Sequence, residues 1–363
     1  MKKNVAIIIP GGIGTGSNNI GVPVLERIIR LLAIDFNLTV FQLFPVNKDF
    51  KVEGFELIAV YSRNAVFKSV KLILAFWKEQ RRNKFQAVHG FWALPNGFLA
   101  VLMGKIFKIK SVVSLLGGDA IALPDIAYGQ LINPFYRKLI FWTLNSGDEI
   151  NALTSYLVNN LRQAGLQREN IKIIPWGIDT SMFVFRKKPL TSPVQFLHIA
   201  NLHPVKDQET LLRSFKIISD EIDARLTIIG EGISEGFVRG LAVELGIENK
   251  ITFVGLLPYE QLPKFYCEAD LLLHTSRSEG QSEVVTEAMS CGVIVCGTRV
   301  GLMYDQPDCC VSVPVKDFKA LANEVLILLR DPKRMDVIRT HAHAWTSFHS
   351  INWTVKKIKE LYY

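Results

Sequence analysis

No stretch of this 363-residue chain approaches the ~20 consecutive apolar residues that span a bilayer. The richest runs, 97–107 and 139–144, are too short, and the first contains a lysine. Met1-Lys2-Lys3-Asn4 leads straight into Val5-Ala6-Ile7-Ile8-Ile9, which Pro10 and the following glycines end. That run reads as a buried strand and not as a signal peptide, so a cytoplasmic protein is expected. Cysteine is scarce: Cys267, Cys291, Cys296, Cys309 and Cys310 lie in the second half with no C-x-x-C pair. Odd in number, they fit buried, reduced thiols and exclude a disulfide framework. There is no Asp-x-Asp pair for a metal-bound diphosphate and no Gly-Lys-Ser/Thr phosphate loop. His341 and His343, two apart on a helix, point away from each other and make no metal site. Neither a metal nor a cofactor is expected.

What remains is a folded, core-rich composition, 49% apolar and 21% charged. Its length exceeds what one hydrophobic core comfortably serves, so two domains are expected. Charge divides unevenly. Residues 1–180 hold 21 Lys and Arg against 12 Asp and Glu, and residues 181–363 hold 21 against 22. The surplus in the first half suits anionic lipid, nucleic acid or a phosphorylated substrate.

Short apolar runs alternate with helical patterns throughout. The first half offers strands at 5–9, 39–44, 87–89, 111–115, 150–153 and 172–174, with helices at 22–33, 66–82 and 95–107. The second half repeats the scheme, with strands at 195–200, 225–229, 251–254, 271–274 and 293–295. Helices at 208–220, 237–245, 261–268 and 283–291 separate them. This alternation predicts an α/β protein with two Rossmann-like, doubly wound parallel-sheet domains facing a cleft. The first domain spans 1–180 and the second 190–340, joined by an aperiodic linker at 179–194. A C-terminal helix at about 341–363 returns to the first domain. Ligands of such sheets gather beyond the carboxyl ends of the strands, so the chemistry belongs in those loops.

The most informative loop runs from Ser276 to Met289 and follows the apolar Leu271-Leu272-Leu273. Gly280-Gln281-Ser282 forms a turn at a helix start, where backbone N–H groups suit hydroxyl or phosphate oxygens. Glu279 stands in the loop and Glu287 in the helix, so the two carboxylates can take separate parts of one ligand. Glu283 and Glu287, four apart, equally suit a solvated helix face.

Glu279 and Glu287, separated by seven residues, together with Ala269-Asp270-Leu271 before them and Ala288-Met289-Ser290-Cys291-Gly292 after, resemble the signature of retaining glycosyltransferase family four. The resemblance covers nearly the whole chain through Pro10-Gly11-Gly12-Ile13-Gly14, His89-Gly90-Phe91-Trp92, Gly147-Asp148, Leu153-Thr154-Ser155, Pro175-Trp176-Gly177-Ile178-Asp179 and Gly230-Glu231-Gly232. It implies the two-domain GT-B fold and a metal-independent hexosyltransferase that uses a nucleoside-diphosphate sugar as substrate. It implies that Glu287 holds the ribose and Glu279 the sugar hydroxyls, beside the N–H groups of Gly280, Gln281 and Ser282. Lys206 matches a lysine that neutralises the departing diphosphate. Two positions depart from the family pattern. Asn201 stands where an arginine is usual, and Leu116 where a histidine precedes the Gly-x-Asp stretch ending in Asp119.

The loop Gly11-Gly12-Ile13-Gly14-Thr15-Gly16 lets backbone approach a diphosphate or sugar, which makes Gly12 and Gly14 donor-side candidates. The same loop suits a nicotinamide dinucleotide. Against an NAD-dependent oxidoreductase stand the missing acid at the end of the second strand, Thr39-Val40-Phe41-Gln42-Leu43-Phe44, and the lack of any Tyr-x-x-x-Lys. Asn201 and Leu116 keep a catalytically lapsed GT-B scaffold open. Asp119 and His89 are the acceptor-side candidates, with a helix N-cap as the other reading of Asp119. Residues 63–84 mix Phe67, Val70, Ile73, Leu74, Phe76 and Trp77 with Lys68, Lys71, Lys78, Arg81, Arg82 and Lys84. Such a helix fits either a core face with a basic outer side or an anionic membrane surface. The expected partners are a nucleotide-sugar donor, a hydroxyl acceptor that is lipid-linked or a surface-polysaccharide precursor, and the inner face of a membrane. Nucleic acid is not among them.

Overall fold

The computed structural model describes residues 2–15, 22–47 and 50–363. The chain forms two compact units, Met1–Trp176 completed by Ile351–Tyr363, and Gly177–Ser350. The first holds β1 (Asn4–Ile9), β2 (Asn37–Gln42), β3 (Glu56–Ala59), β4 (Ala87–Phe91), β5 (Lys110–Leu115), β6 (Glu149–Ala152) and β7 (Lys172–Ile173). They form one parallel sheet in the order β3-β2-β1-β4-β5-β6-β7. The apolar run of β1 is explained by cover on both faces. Val5, Ile7 and Ile9 join one core cluster, which also takes in the helices Pro23–Leu32, Ser155–Gln163 and Ile351–Leu361. Ala6 and Ile8 join another, with the helices Ala65–Asn83 and Phe98–Phe107.

The second unit holds β8 (Val194–Ile199), β9 (Ala224–Ile229), β10 (Ile251–Gly255), β11 (Leu271–His274), β12 (Ile294–Thr298) and β13 (Val311–Val313). Their order is β10-β9-β8-β11-β12-β13, again all parallel. The chain winds outward from β8 to β10 on one side and from β11 to β13 on the other. The reversal lies between β8 and β11, where such sheets collect ligands.

Two strands and several helices were not anticipated. β3 is a four-residue edge strand with exposed ends, and β13 has three residues, so neither carries a long apolar run. The helices Pro134–Ser146, Phe318–Leu329 and Pro332–Phe348 were also missed. Residues 341–350, expected in the returning helix, belong to the second unit, and the helix that returns is Ile351–Leu361.

That return reaches the centre of the first sheet. His89 of β4 is fully buried and stacked on Phe91, with ring centroids 4.1 Å apart. Its Nδ1 meets the Tyr362 hydroxyl at 2.9 Å and its Nε2 the Ser114 hydroxyl at 2.7 Å. Tyr362→Phe leaves one nitrogen of a buried imidazole without a partner, an expected loss of about 1–3 kcal/mol of unfolding free energy. A denaturant titration of the variant checks it. An unchanged midpoint would count the bond as worth nothing.

Candidate active site

Lys206 and Glu279 lie 73 positions apart in sequence, and the sheet order brings them together. β8 and β11 are neighbours, with Leu271 beside Phe196 and Leu272 beside Leu197. The loops that follow these strands therefore start side by side. After β8 the chain makes a short turn, Pro204–Lys206, and Asp207 caps the helix Gln208–Glu221 by accepting from Thr210 N–H. After β11 the chain latches onto that turn. The Thr275 hydroxyl donates to the carbonyls of Lys206 and Asp207, both at 3.0 Å, and Arg277 N–H donates to the Val205 carbonyl at 2.7 Å.

So held, Lys206 Nζ donates to Glu279 Oε1 at 2.6 Å, and the Ser276 hydroxyl donates to the same oxygen at 2.6 Å. The side chains are 23% and 11% exposed, so the pair is largely withdrawn from water. Burial raises the carboxyl of Glu279, but the ammonium of Lys206 outweighs it and holds the group below the usual carboxylate range. His274 Nε2 lies 3.6 Å from Glu279 Oε1, beyond hydrogen-bond reach. Burial lowers His274 and His198 to about 4 each, so both are neutral near pH 7. His198 Nδ1–H donates to the Leu273 carbonyl at 2.9 Å and ties the two strands together.

The helix Glu283–Cys291 starts from Ser282, whose φ of 81° is unusual for a residue with a Cβ. Gln281 turns its side chain into this helix and donates to the Thr286 hydroxyl at 3.1 Å, so its backbone is what faces the loop. Gly301, after β12, closes the third side. A Cβ there would stand 2.7 Å from the Gln281 carbonyl oxygen and 2.9 Å from Glu279 Cβ, so only glycine fits. Glu287 is 1% exposed, and the Tyr266 hydroxyl donates to its Oε2 at 2.6 Å. Burial pushes its carboxyl up to about 7, against the downward pull of hydrogen bonds from Tyr266 and Tyr259. Asn201 is exposed on the loop after β8, and its carbonyl accepts from the Gln208 side chain at 3.2 Å.

The donor-side candidates Lys206, Glu279, Glu287, Asn201 and the 280–282 turn all lie in the second unit. Around them the structure adds Ser276, His274, Tyr266 and Gly301, which the sequence reading did not single out. Ser276, three residues before Glu279, was the one with a legible signal. Tyr266 gave none, because its place in the helix Leu262–Glu268 reads as core.

In the first unit the glycine loop is a tight turn. Gly12 and Gly14 have φ of 111° and 57°, Gly12 N–H donates to the Thr15 hydroxyl at 3.1 Å, and a Cβ on Gly14 would stand 2.4 Å from the Phe50 ring. Gly16 lies outside the described residues. Gln42, fully buried at the end of β2, grips Ile13 from both sides, accepting from its N–H and donating to its carbonyl, each at 3.1 Å. Where a dinucleotide site needs a carboxylate for the ribose, this chain has an amide spent on its own loop.

The acceptor-side expectations need correction. His89 has both nitrogens engaged within the core. Asp119 is 1% exposed and accepts from Ala93 N–H and Gly117 N–H, both at 2.9 Å, which ties the loop after β4 to the loop after β5. Neither side chain is presented to a ligand. The sequence does not reveal this, because a polar residue within a strand, as His89 is, or just after one, as Asp119 is, looks the same whether it faces solvent or the protein interior.

Residues 183–345 match the family model for Glycosyl transferases group 1, and residues 25–182 match the model for Glycosyltransferase Family 4. The N-acetyl-alpha-D-glucosaminyl L-malate synthase of Bacillus anthracis is 26% identical over 340 residues, covering 88% of this chain and 85% of that protein. The GDP-mannose-dependent alpha-(1-6)-phosphatidylinositol monomannoside mannosyltransferase of Mycolicibacterium smegmatis is 24% identical over 70% of this chain and 69% of its own. Further relatives are matched over about half of their length. Among solved structures, sucrose-phosphate synthase from Thermosynechococcus elongatus superposes with a TM-score of 0.82 at 18% identity, over 99% of this chain and 98% of its own. That likeness shows the fold.

Proposed function

Because the chain belongs to the group 1 and family 4 glycosyltransferases, with the GT-B fold, we propose that it moves a sugar from a nucleoside diphosphate to a hydroxyl acceptor with its anomeric configuration retained and without a metal. The observation that carries this reading is the Lys206–Glu279 pair beyond the reversal between β8 and β11. Breaking the bond between sugar and phosphate develops positive charge on the sugar and negative charge on the diphosphate. Lys206, near the start of the helix Gln208–Glu221, supplies fixed positive charge for the second. Glu279, released from Lys206 by the diphosphate, accepts hydrogen bonds from sugar hydroxyls, and Glu287 accepts from the ribose. Asn201 in place of an arginine leaves Lys206 with more of that work.

The acceptor is a lipid-linked or surface-polysaccharide precursor, and the protein works at the inner face of a membrane. The phosphatidylinositol-based name of the mycobacterial relative and the basic first half support this. No described helix is long and apolar enough to cross a membrane.

Incubation with a panel of nucleoside-diphosphate sugars, with membrane extract as acceptor, should release nucleoside diphosphate from one of them. Silence with every donor would leave a lapsed scaffold. The pH dependence is a second check. With Glu287 near 7, its carboxylate is mostly ionised at pH 8 and mostly protonated at pH 6. The donor KM should therefore rise about tenfold over that interval. In Glu287→Gln the KM should be higher at pH 8 and flat with pH, and a parallel slope in that variant would remove Glu287 from the role.

A further inference from the structure

Lys206 and Ser276 both donate to the same oxygen of Glu279, Oε1. The transfer proposed above takes one of these donors away, since a diphosphate draws the Lys206 ammonium to itself. The side chain of Glu279 is 11% exposed, and on Oε1 it then keeps only the Ser276 hydroxyl. A carboxylate so far out of water needs another donor to hold it in place. His274, the last residue of β11, lies near enough to supply one. Its Nε2 is 3.6 Å from Oε1 and has no hydrogen-bond partner in the protein, although the residue is 2% exposed.

Histidines buried for the fold spend their ring nitrogens. His89 spends both, on Tyr362 and Ser114. His198 Nε2 is unpaired like that of His274, but the Nδ1 of His198 donates to the Leu273 carbonyl and so carries the proton. In the neutral ring its Nε2 can only accept, which is of no use to a carboxylate. His274 Nε2 has no such restriction, and a buried polar atom without a partner calls for a purpose. The charged groups that reach His274 are Glu279 and Lys206, with His198 as a further titratable neighbour, and burial keeps the ring neutral near pH 7. Its backbone is pinned. His274 pairs with Gly297 of β12, where a Cβ would stand 1.8 Å from the His274 carbonyl oxygen. The gap is therefore closed by the carboxylate, which turns about its own side-chain torsions, and not by the strand.

We infer that His274 is a positioning residue for Glu279: as a diphosphate engages Lys206, the neutral Nε2–H donates to Oε1 and keeps the carboxylate aimed at the sugar hydroxyls. Lys206 holds Glu279 in the empty site and His274 holds it in the loaded one. This role deepens the proposed transfer and rests on it.

The test compares His274→Leu, which removes the donor, with His274→Gln, whose amide N–H extends about as far as the imidazole Nε2. With the donor that the nucleotide-sugar panel selects, His274→Leu should lower kcat about tenfold. Affinity for the matching nucleoside diphosphate, titrated as UDP, GDP and ADP, should stay within about twofold of wild type. His274→Gln should recover most of the rate. The melting temperature of His274→Leu should hold or rise, because the lost nitrogen bonds nothing in the empty site. In a Glu279→Gln background the leucine should cost no further activity, since its effect runs through the carboxylate. An unchanged kcat in His274→Leu, no recovery in His274→Gln, or a full tenfold loss in the Glu279→Gln background would each overturn this role. So would a melting temperature several degrees lower, or nucleotide affinity that falls in step with the rate. Wild-type turnover beside an indifferent His274→Leu would sink this role alone, whereas a wild-type protein silent with every donor would sink the proposed function and this role with it.

Discussion

Lys206→Ala is expected to lower turnover of the preferred nucleoside-diphosphate sugar by about 10²- to 10³-fold, the usual cost of removing one preorganised charge from a developing anion. The effect should fall mainly on kcat, because the diphosphate gains negative charge as the bond breaks. The substitution also strands Glu279, which is 11% exposed and would keep only the Ser276 hydroxyl on Oε1. A buried carboxylate that loses its cation destabilises a fold by up to about 3–5 kcal/mol. Turnover must therefore be read beside a thermal melt. Lys206→Met/Glu279→Gln removes both charges and should recover much of the stability while remaining inactive. Recovery of activity in that double variant would show that Lys206 served the fold and not the reaction.

Glu279→Ala is the second large effect, an expected fall of about 10- to 100-fold in kcat/KM, since hydrogen bonds to a charged group are among the stronger ones. It carries an opposite signature on binding. With Glu279 gone, Lys206 loses its resting partner and is free for phosphate, so affinity for the bare nucleoside diphosphate should rise while transfer falls. Calorimetric titration with nucleoside diphosphate, set beside the steady-state rates, separates these. A wild-type rate, or a loss of nucleotide affinity equal to the loss of rate, would refute the assignment of Glu279 to the sugar.

Much of the second unit could be read from the residues alone. Leu271, Leu272 and Leu273 fill cores on both faces of the sheet, and such strands give unbroken apolar runs. The loop after β11 is short, and the family resemblance proposed Glu279 there and Lys206 after β8 for one donor. Their mutual contact was not recognisable, because it follows from β8 lying beside β11, a long-range pairing that local pattern does not encode. The first unit was less legible at its ligand side. His89 and Asp119 look like surface chemistry in sequence, yet tertiary contacts with Tyr362 and with Ala93 N–H absorb them. The helix Pro134–Ser146 escaped notice because Phe135, Tyr136 and Trp142 are exposed, which blurs the apolar period a buried face would show.

The closing of the first core by Ile351, Val355, Ile358, Leu361 and Tyr362 also sets an order of events during synthesis. A ribosome releases the amino end first, and folding units ordinarily form as they emerge. Here the first sheet emerges without the helix Ile351–Leu361 that joins its core, and His89 waits for a hydroxyl 273 positions downstream. The second unit, continuous from Gly177 to Ser350, can complete itself before the first does. The first unit, begun before the second, is therefore finished after it, and until residues 351–362 emerge the core they complete is open to chaperones and proteases.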